Sequence, residues 1–532
     1  MDNSLAVMKS QCIPHSRLPG TSALFGDYLD HFERLRAFYG HDPHTPQSIR
    51  DAAAQAEIPV ERRRALVAAL RRINGASPAL DRLAEPGTVT IVTGQQVGLF
   101  GGPSYTLYKA LTAIKLADQL TSRGIPAVPV FWLATEDHDL AEADHCWLFG
   151  PDRRPRRVTA RVKGLANQPV GATILDAVPL DELRATLDGL PYADEIVARV
   201  ADAYQPGRSM GAAFQRLLAG LLGDRGLIFL DPLDPEIRSL AAPFLKEAFA
   251  RGEELSAKVL ARDAALQAAG YHSQVLFEAQ TSLFLRLENG RRVALRRHDG
   301  AYFHEARRYK SAELIADPAA LSPNALLRPV MQDYLLPTAA YIGGPAEVAY
   351  FAQSEVLYSA LLGRMPVALP RAGFTLLDSH AFKMLDRFDL TLLDCLQSED
   401  AVRERIAAKL LPPDLKGLFD ASRATVAEMA ERLSAALEGF DPTLATAMRK
   451  SASKMQYQLE KNRGKAAREA LRREQRAADG AARLSGLLYP ERHLQERLYS
   501  FLPFLAEHGL DLIDTLYENT YRHCFDHLLL TV

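Results

Sequence analysis

Cysteine is scarce in this sequence, with four among 532 residues. Cys12, Cys146, Cys395 and Cys524 lie far apart and include no CxxC pair. The pattern therefore indicates neither a disulfide framework nor a thiolate zinc site, and it is typical of a protein from a reducing compartment. We expect a cytoplasmic location.

Long apolar runs and a strong net charge are lacking as well. No run approaches the roughly 20 residues that span a bilayer, and the N-terminal segment has no apolar core of a signal peptide, so we expect no membrane association. The formal net charge is −2, with 48% hydrophobic and 24% charged residues. Such a composition is typical of a globular protein with two or more domains.

Strand-like apolar runs alternate with helical patterns in about the first 380 residues. This rhythm predicts an α/β fold in which helices cover both faces of a parallel sheet. We place this core at residues 1–378. The less regular region around residues 150–322 indicates insertions on it.

The clearest unit is TVTIVTGQQVGLFGGPSYTLYKALTAIKLA, residues 88–117, where a strand, a glycine-rich loop and a helix follow one another. Glycines let the backbone approach a ligand closely, and free amides at a helix start favour an anion. The loop matches neither GxGxxG nor GxxxxGK[ST], so an anion cradle and a plain strand-to-helix turn both stay open. The candidate substrate-binding residues here are Gln95, Gln96, Gly101, Gly102, Ser104, Tyr105 and Lys109. For the last two, core packing and solvent exposure are the alternative interpretations.

A second polar cluster directly follows the apolar run at residues 128–134. A carboxylate there is able to hold a substrate ammonium group, and a histidine is able to accept a proton near neutral pH. The candidate catalytic residues are Glu136, Asp137 and His138, and Asp139 and His145 are candidates for substrate binding. Metal ligation is an alternative, but we interpret the cluster as substrate hydrogen-bonding groups and helix caps, and predict no metal.

A third unit, AYIGGPAEVAYFAQ, has the same order as the first: an apolar run, Gly-Gly-Pro and a helix. Gly343, Gly344 and Glu347 are candidates for substrate binding, although capping of the helix alone explains Glu347. Further candidates are Arg328, Gln332 and Asp333. Because ligands of open parallel sheets sit beyond the carboxyl ends of the strands, we expect the glycine loop and residues 136–139 to share one crevice.

Beyond residue 378 the pattern becomes helical. Residues at steps of four and three follow the heptad rhythm of a coiled coil, namely Met448, Ala452, Met455, Leu459, Asn462 and Ala466. We expect a helical hairpin that turns at Gly-Phe-Asp-Pro within a coiled-coil domain at residues 379–485. A C-terminal helical segment at 486–532 is expected to pack back on the core. The heptads predict a homodimer, and packing within the hairpin is the alternative.

The second helix of that hairpin is basic. Residues 449–476 hold ten Lys or Arg against three Glu, a surplus of seven positive charges. A solvated helix face explains this surplus, while a phosphate-bearing ligand or a partner subunit is the alternative. We expect no nucleic-acid partner.

Six segments, taken together and in order, resemble one family. They are TGQQVGLFGGPSYTLYKA, PVFWLATEDHDLAEADH, GLIFLDPLDP, NALLRPVMQDYLLPTAAYIGGPAEVAYFAQ, MPVALPRAGFTLLD and LQERLYSFLPFLAEHG. They resemble the BshC family, the cysteine-adding enzymes of bacillithiol biosynthesis, over nearly the whole chain. The resemblance implies a Rossmann-like core related to class I nucleotidyltransferases, with connecting-peptide insertions and a coiled-coil domain used for dimerisation. The implied ligase joins the carboxyl group of cysteine to the amino group of glucosaminyl malate.

The chain departs from the nucleotidyltransferases where those enzymes bind phosphate. It has no histidine between His44 and His138, where they carry an HxGH signature, and no KMSKS-like lysine loop. ATP or another nucleotide is the common activator of such a carboxyl group, but the sequence does not predict it in this crevice. The family associates a nucleotide pocket with the coiled coil and an inserted segment. We expect the crevice to bind an anion, the malate carboxylates, rather than a phosphate.

Two other classes of function stay open. Another transferase, nucleotidyl or glycosyl, would use the same crevice without depending on cysteine. A non-catalytic scaffold would bind a partner through the coiled coil, so that truncation of residues 380–485 would remove its function.

Overall fold

The computed structural model describes residues 10–298, 301–521 and 525–532, so Cys524 lies outside the described residues. The chain forms two compact units. The first contains the described residues of Met1–Pro151 together with Pro155–Thr375 and Glu496–Leu530, and the second contains Asp152–Arg154, Leu376–Gln495 and Thr531–Val532.

Strands build the first unit around two five-stranded sheets. In chain order the strands are β1 (Ser10–Ile13), β2 (Val89–Gln96), β3 (Ala127–Ala134), β4 (His145–Phe149), β5 (Pro155–Thr159), β6 (Arg161–Lys163), β7 (Ile174–Ala177), β8 (Ile228–Leu230), β9 (Thr281–Glu288), β10 (Arg291–His298), β11 (Ala301–His304), β12 (Arg307–Tyr309), β13 (Leu321–Pro323), β14 (Thr338–Gly343), β15 (Val367–Pro370), β16 (Gly373–Leu377) and β17 (His527–Thr531).

Helices make up most of the remaining chain. They are α1 (Ala23–Asp30), α2 (Pro46–Gln55), α3 (Val60–Asn74), α4 (Pro78–Ala84), α5 (Tyr105–Ser122), α6 (Leu140–Ala143), α7 (Leu180–Leu187), α8 (Ala193–Ala203), α9 (Met210–Leu222), α10 (Pro235–Ala250), α11 (Gly252–Ala268), α12 (Ser311–Ala316), α13 (Arg328–Leu335), α14 (Pro345–Leu361), α15 (Ser379–Phe388), α16 (Leu392–Cys395), α17 (Glu399–Leu410), α18 (Pro413–Glu438), α19 (Pro442–Arg473), α20 (Gln475–Leu488), α21 (Gln495–Leu498), α22 (Leu502–His508) and α23 (Asp511–Asn519). Within the described residues, no helix is long and apolar enough to cross a membrane.

The central sheet has the strand order β15-β14-β2-β3-β8, and all its pairings are parallel. Successive side chains of a strand point to opposite faces, and both faces are covered. Ile91 packs with Ala113 and Leu116 of α5, whereas the adjacent Val92 belongs to the cluster that contains Phe351 of α14. The predicted α/β fold is confirmed. The chain order reverses between β2 and β14, which creates a crevice at the carboxyl ends of these strands.

The region predicted to hold insertions, residues 150–322, also contributes to the core. GLIFLDPLDP contains β8, the edge strand of the parallel sheet. Its apolar run is short, and all three residues of the strand are buried. The rest of the region includes the hairpin of β6 and β7 and the antiparallel sheet β12-β11-β10-β9-β13. Periodicity did not separate β8 from these insertions, since a three-residue strand is too short to show a period.

The second unit contains the helical hairpin. Asp441 caps α19 by accepting a hydrogen bond from the Thr443 N–H, and Pro442 occupies the first turn, so the chain reverses at Gly-Phe-Asp-Pro as predicted. Ion pairs join Glu438 to Arg449 and Asp420 to Arg463, which shows that α18 and α19 run antiparallel. The helical coiled-coil domain is therefore present.

Only part of the predicted heptad seam is buried within the chain. Ala452 is buried, Met455 and Leu459 are half-buried, and Asn462 is exposed. Of the residues on α18, only Ala430 and Ser434 are buried. The hairpin thus has a thin core of small side chains.

The C-terminal residues after the hairpin belong to the first unit from Glu496 onward. β17 pairs antiparallel with β1, with Leu530 opposite Ser10 and His527 opposite Ile13. This segment brings Glu496 and Arg497 to the first unit.

Candidate functional site

A cavity of about 290 Å³ lies at the carboxyl edge of the parallel sheet, beside the point where the strand order reverses. This is where open α/β sheets bind ligands. Strands, helices and three connecting segments line it. The lining residues are Gly94, Gln95, Gln96, Trp132, Ala134 and Tyr341 from strands, Tyr105, Lys109, Arg328, Pro345, Ala346, Glu347, Tyr350 and Arg497 from helices, and Asp137, Gly344 and Arg371 from the segments between them.

Lys109 is a buried residue of the cavity lining, with a side chain that is only 3% exposed. Its Nζ donates to the Gly94 carbonyl at 2.8 Å and to Gln95 Oε1 at 2.9 Å, and it forms an ion pair with Glu347. Burial lowers the pKa of Lys109, and the carboxylate of Glu347 partly offsets this effect. Neither solvent exposure nor simple packing describes this lysine, because it ties the end of β2 to the start of α14.

Glu347 caps its own helix and also joins this network. Its Oε2 accepts a hydrogen bond from the Gly344 N–H at 2.7 Å, and its Oε1 accepts one from the Tyr341 hydroxyl at 2.7 Å. Burial acts to raise its pKa, but Lys109 and the two hydrogen-bond donors hold the pKa of Glu347 below its usual range. The carboxylate is therefore ionised and fully occupied by protein groups.

Arg371 follows β15 and is held by a buried carboxylate. Its Nη1 lies 2.8 Å from Glu496 Oε2 and its Nη2 lies 2.5 Å from Glu496 Oε1. Burial acts to raise the pKa of Glu496, but Arg371, His527 and the Phe374 N–H bring it down to about 2. The pair fixes the guanidinium beside the ring of Tyr105, with Cζ 5.3 Å from the ring centroid.

Arg328, at the start of α13, has only neutral hydrogen-bond partners among the described residues. It donates to the hydroxyl of Tyr350 at 3.0 Å, to Gln332 Oε1 at 3.1 Å and to the hydroxyl of Tyr341 at 3.4 Å. Its guanidinium also lies 5.9 Å from the centroid of the Trp132 ring. Its charge is not neutralised by an ion pair.

Arg497 is exposed and lies near Tyr105, with its Cζ 6.0 Å from the centroid of that ring. Within the described part of the chain, no carboxylate oxygen is within 4.0 Å of its guanidinium nitrogens. The cavity therefore has two cations without an acidic partner.

The cluster at residues 136–139 is divided between the cavity and its surroundings. Asp137 lines the cavity and is half-buried. Glu136 points elsewhere, forming an ion pair with Arg238 at 2.5 Å. His138 does not line the cavity, and burial, with a contribution from Arg292, lowers its pKa. Asp137 is thus the one member of this acidic segment that the structure brings to the cavity wall.

The remaining residues of the second cluster have local roles. Asp139 caps the short helix α6 through the Glu142 N–H, and its carbonyl accepts a hydrogen bond from Gln96. His145 Nδ1 lies 3.1 Å from Asp144 Oδ1, outside the cavity lining. In the described ranges, no group of three His, Cys, Asp or Glu side chains is arranged to hold a metal ion.

The glycine loop after Val97 is packed against protein rather than open to a ligand. The Gly101 N–H donates to the hydroxyl of Tyr204 at 3.1 Å, and the Gly102 N–H donates to the Leu99 carbonyl at 3.0 Å. Both glycines have a positive φ, 84° and 68°. The structure therefore corrects the expected anion cradle, because this part of the loop is a tight turn. From residues 88–117 the cavity lining instead includes Gly94, Gln95 and Gln96 at the end of β2, together with Tyr105 and Lys109 of α5.

Ser104 also faces away from the cavity. It is fully buried, and both its N–H and its hydroxyl donate to the Tyr499 carbonyl, at 2.7 and 2.8 Å. The free amide expected at the start of α5 is thus already bonded. Ser104 and His138 do not meet in one cavity, which corrects the expectation that both contact the same ligand.

The segment AYIGGPAEVAYFAQ, residues 340–353, lines the cavity. Gly344 and Glu347 line the cavity, and Gly343 lies beside them, with its carbonyl accepting the Arg371 N–H at 2.8 Å. Asp333 and Gln332 are fully buried, and Asp333 accepts a hydrogen bond from Tyr358. Of these two, only Gln332 reaches the site, through its contact with Arg328.

Sequence reasoning missed several lining residues. Trp132 and Tyr341 lie in apolar runs that predict strands, and Tyr350 lies in the helix predicted after the second Gly-Gly-Pro. Arg371 is not among the predicted site residues, although it follows β15 at the same sheet edge. Applying the strand-end rule to β15 would have found Arg371. Arg497 lies within LQERLYSFLPFLAEHG, one of the six segments that resemble the family, but no spacing within that segment distinguishes this residue from its neighbours.

Comparisons with known proteins match the whole arrangement. Residues 8–372 match the family described as "Bacillithiol biosynthesis BshC, N-terminal Rossmann-like domain", and residues 374–532 match its "C-terminal coiled-coil domain". A protein of Solibacter usitatus is 52% identical over 99% of this chain and 100% of its own length. Proteins of Koribacter versatilis and Salinibacter ruber are 39% and 30% identical, over 96% and 94% of this chain and 98% and 95% of their own lengths. All three are named "Putative cysteine ligase BshC".

Proposed function

We propose, from the premise that this chain belongs to the BshC family of bacillithiol biosynthesis, that it is an amide-forming ligase. It joins the carboxyl group of cysteine to the amino group of glucosaminyl malate, and the product is bacillithiol. The main structural support is the cationic cavity at the carboxyl edge of the sheet, since the acceptor carries the two carboxylates of malate. The cavity volume of about 290 Å³ suits part of a small polar molecule.

Asp137 is the group we assign to the amine. It is the acidic side chain at the cavity wall with no Arg or Lys ion-pair partner among the described residues. Its carboxylate binds the ammonium form of the acceptor and takes one proton from it, so that the neutral amine attacks the activated acyl carbon with its lone pair. The second proton leaves the nitrogen as the amide forms and passes to the departing group or to solvent. The new carbon–nitrogen bond forms as the bond from the acyl carbon to its leaving group breaks. The site also lowers the reaction barrier by holding the two reactants in the geometry of attack.

Activation of the cysteine carboxyl group requires a donor such as ATP or another nucleotide, but the glycine loop, which lies outside the cavity lining, does not fit a triphosphate. The loop amides that would cradle phosphates already donate to Tyr204, Leu99 and Tyr499. We therefore assign acceptor binding and proton transfer to the cavity and no step of carboxyl activation.

Product formation tests this function. The purified chain is incubated with isotopically labelled cysteine, glucosaminyl malate and a nucleoside triphosphate, and the products are analysed by mass spectrometry. We expect labelled bacillithiol, with turnover lowered at least tenfold by Asp137→Asn. Transfer from a nucleotide sugar without cysteine would support the other transferase, and no turnover with any donor would support a scaffold.

The coiled-coil hairpin is proposed to form a homodimer. Large apolar side chains of α18 and α19 and of their turn are exposed, with Leu418 65%, Phe440 82% and Tyr457 63% exposed. A second copy with the same apolar residues is the proposed occupant. Since Met455 and Leu459 are partly used within the hairpin, the sharper test changes exposed positions. We expect Met429→Glu with Leu433→Glu to give a monomer by sedimentation, while an unchanged dimer mass would reject this surface.

We also propose that the reaction takes place in the cytoplasm. The thiols of Cys146 and Cys395 are buried and form no disulfide, and burial raises the pKa of each to about 12. Such unreactive, reduced cysteines are typical of a reducing compartment. Fractionation of the cells that produce the chain tests this, and recovery with the membrane or outside the cell would contradict it.

A further inference from the structure

We infer that the four cations at the cavity divide into two pairs: Lys109 and Arg371 are committed to protein carboxylates, whereas Arg328 and Arg497 each bind one carboxylate of a dicarboxylate ligand. This assignment rests on the proposed function for the identity of that ligand, the malate part of the acceptor. It also predicts which ligands the cavity rejects.

Lys109 has no donor left for a ligand. An ammonium group has three N–H bonds, and Lys109 has three acceptors: Gly94 O at 2.8 Å, Gln95 Oε1 at 2.9 Å and the carboxylate of Glu347. A ligand carboxylate would have to displace one of these contacts in a buried place. The charge of Lys109 is balanced inside the protein.

Arg371 is balanced in the same way. Two of its nitrogens bind both oxygens of Glu496, and its Nη1 also donates to the Ala372 carbonyl at 2.9 Å. Paired, bidentate geometry of this kind is the strongest form of such a contact. Because Glu496 is itself only 2% exposed, opening the pair for a ligand would leave a buried charge without its partner, which is strongly unfavourable.

Arg328 is different because its contacts are all to neutral oxygens. The hydroxyls of Tyr350 and Tyr341 and the amide of Gln332 orient the guanidinium. No carboxylate of the described residues forms an ion pair with it, and the charge of Glu347 acts on it only from beyond ion-pair distance. An arginine held in this manner is preorganised for a planar anion, since its fork of N–H groups matches a carboxylate.

Arg497 supplies the second cation of this kind, on a different wall. It lies near Tyr105, whereas Arg328 lies near Trp132 and Tyr350. Two cations on separate walls recognise two carboxylates at once, and a ligand with only one carboxylate leaves one arginine without its partner. The site therefore discriminates by the number of carboxylates.

Calorimetric titration of the full-length chain with L-malate and with L-lactate, without cysteine or nucleotide, tests this assignment. Malate keeps a hydroxy acid group in common with lactate and adds the second carboxylate. We expect malate to bind at least about tenfold more tightly than lactate, which is the effect of one charged hydrogen-bonding contact. Arg328→Gln and Arg497→Gln should each weaken malate binding at least about tenfold and remove most of its advantage over lactate.

Two further variants complete the design. Arg184→Gln, which removes an exposed arginine on α7, should leave both affinities unchanged. Arg328→Lys keeps the charge, and it should retain more of the preference for malate than Arg328→Gln. The assignment is overturned if the parent chain does not bind malate, if it binds lactate equally well, or if either glutamine variant binds malate within twofold of the parent. Product formation is measured separately, so loss of the ligase function and loss of this assignment are distinguishable.

Discussion

The two Gly-Gly-Pro turns of the first unit have the same local sequence order but different surroundings. Gly101-Gly102-Pro103 lies between β2 and α5, whereas Gly343-Gly344-Pro345 runs from the last residue of β14 to the first residue of α14. The first is closed by protein contacts on its amides. The second lines the cavity, together with the glutamate that caps its helix.

The difference comes from residues distant in the chain. The hydroxyl of Tyr204 accepts the Gly101 N–H, the Tyr499 carbonyl accepts the N–H of Ser104 directly after the turn, and Phe501 packs on Gly101. The second turn instead contacts Lys109 through Glu347. A strand-glycine-helix pattern therefore predicts where a turn lies, but the availability of its amides depends on which segments pack against it.

The largest effect on stability is expected at the contact between α5 and α14, the helices that follow the two turns. Lys109→Met leaves Glu347 buried without its cation, and breaking a buried pair on one side costs about 4 kcal/mol of the free energy of unfolding. Urea denaturation measures the loss. Lys115→Met on the same helix breaks an ion pair with the exposed Glu518 and should cost less than about 1 kcal/mol. Equal losses in the two variants would show that Lys109 does not link the turns.

Alanine at the first and second turns separates packing from site formation. At Gly101, φ is +84° and a Cβ would lie 2.5 Å from Phe501 Cζ, so Gly101→Ala should cost about 3 to 4 kcal/mol. At Gly344, φ is −74° and the nearest atom, Glu347 Oε2, is 3.3 Å away, so Gly344→Ala should cost about 1 kcal/mol. Thermal denaturation measures both, and a reversed order would contradict the packing difference.

A buried histidine close enough to the Arg371–Glu496 pair to interact with its charges should make stability depend on pH. Burial, with a contribution from His527, lowers the pKa of His15 from 6.5 to about 4, and the ring is 8% exposed. The unfolded chain binds this proton more readily, so stability is full above pH 6.5 and is lost as the pH falls toward 4. At about 1.4 kcal/mol for each pH unit, the loss reaches about 3 kcal/mol.

His15→Leu should remove this part of the pH dependence, as measured by urea denaturation between pH 4 and pH 7. His31→Asn is the matched control, because His31 is about half exposed. If His15→Leu and His31→Asn show the same slope as the parent chain, the buried histidine is not the source.

The smallest effect is expected at the start of α5. Ser104→Ala removes a buried hydroxyl that donates to the Tyr499 carbonyl, and the Ser104 N–H still satisfies that carbonyl, so the cost should be about 1 kcal/mol. Malate affinity should not change, unlike in Arg497→Gln. A tenfold weaker affinity of Ser104→Ala for malate would show that the start of α5 takes part in ligand binding, which would contradict the account.

Much of the fold was accessible from the sequence because it depends on local patterns. The run at Val128 predicted a strand buried on both faces, and Asp441 with Pro442 marked the start of α19. The strand-end rule placed Gln95, Gln96 and Asp137 near one crevice. These features depend on periodicity, caps and the parallel arrangement of strands.

The remaining site details depend on contacts between distant segments. The direction of Ser104 is fixed by Tyr499, and the pairing of Glu136 is fixed by Arg238. Arg497 reaches Tyr105 across nearly the whole length of the chain. No spacing rule relates these positions, so sequence patterns identified the sheet edge but not the side chains that face the cavity.

The most direct measurement is the electron density of a crystal grown with glucosaminyl malate. The account predicts that the two malate carboxylates lie within about 3 Å of the guanidinium groups of Arg328 and Arg497, with the amino group near Asp137. Acceptor bound at the Gly101-Gly102 turn, or bound in the cavity with both arginines turned away from its carboxylates, would contradict it.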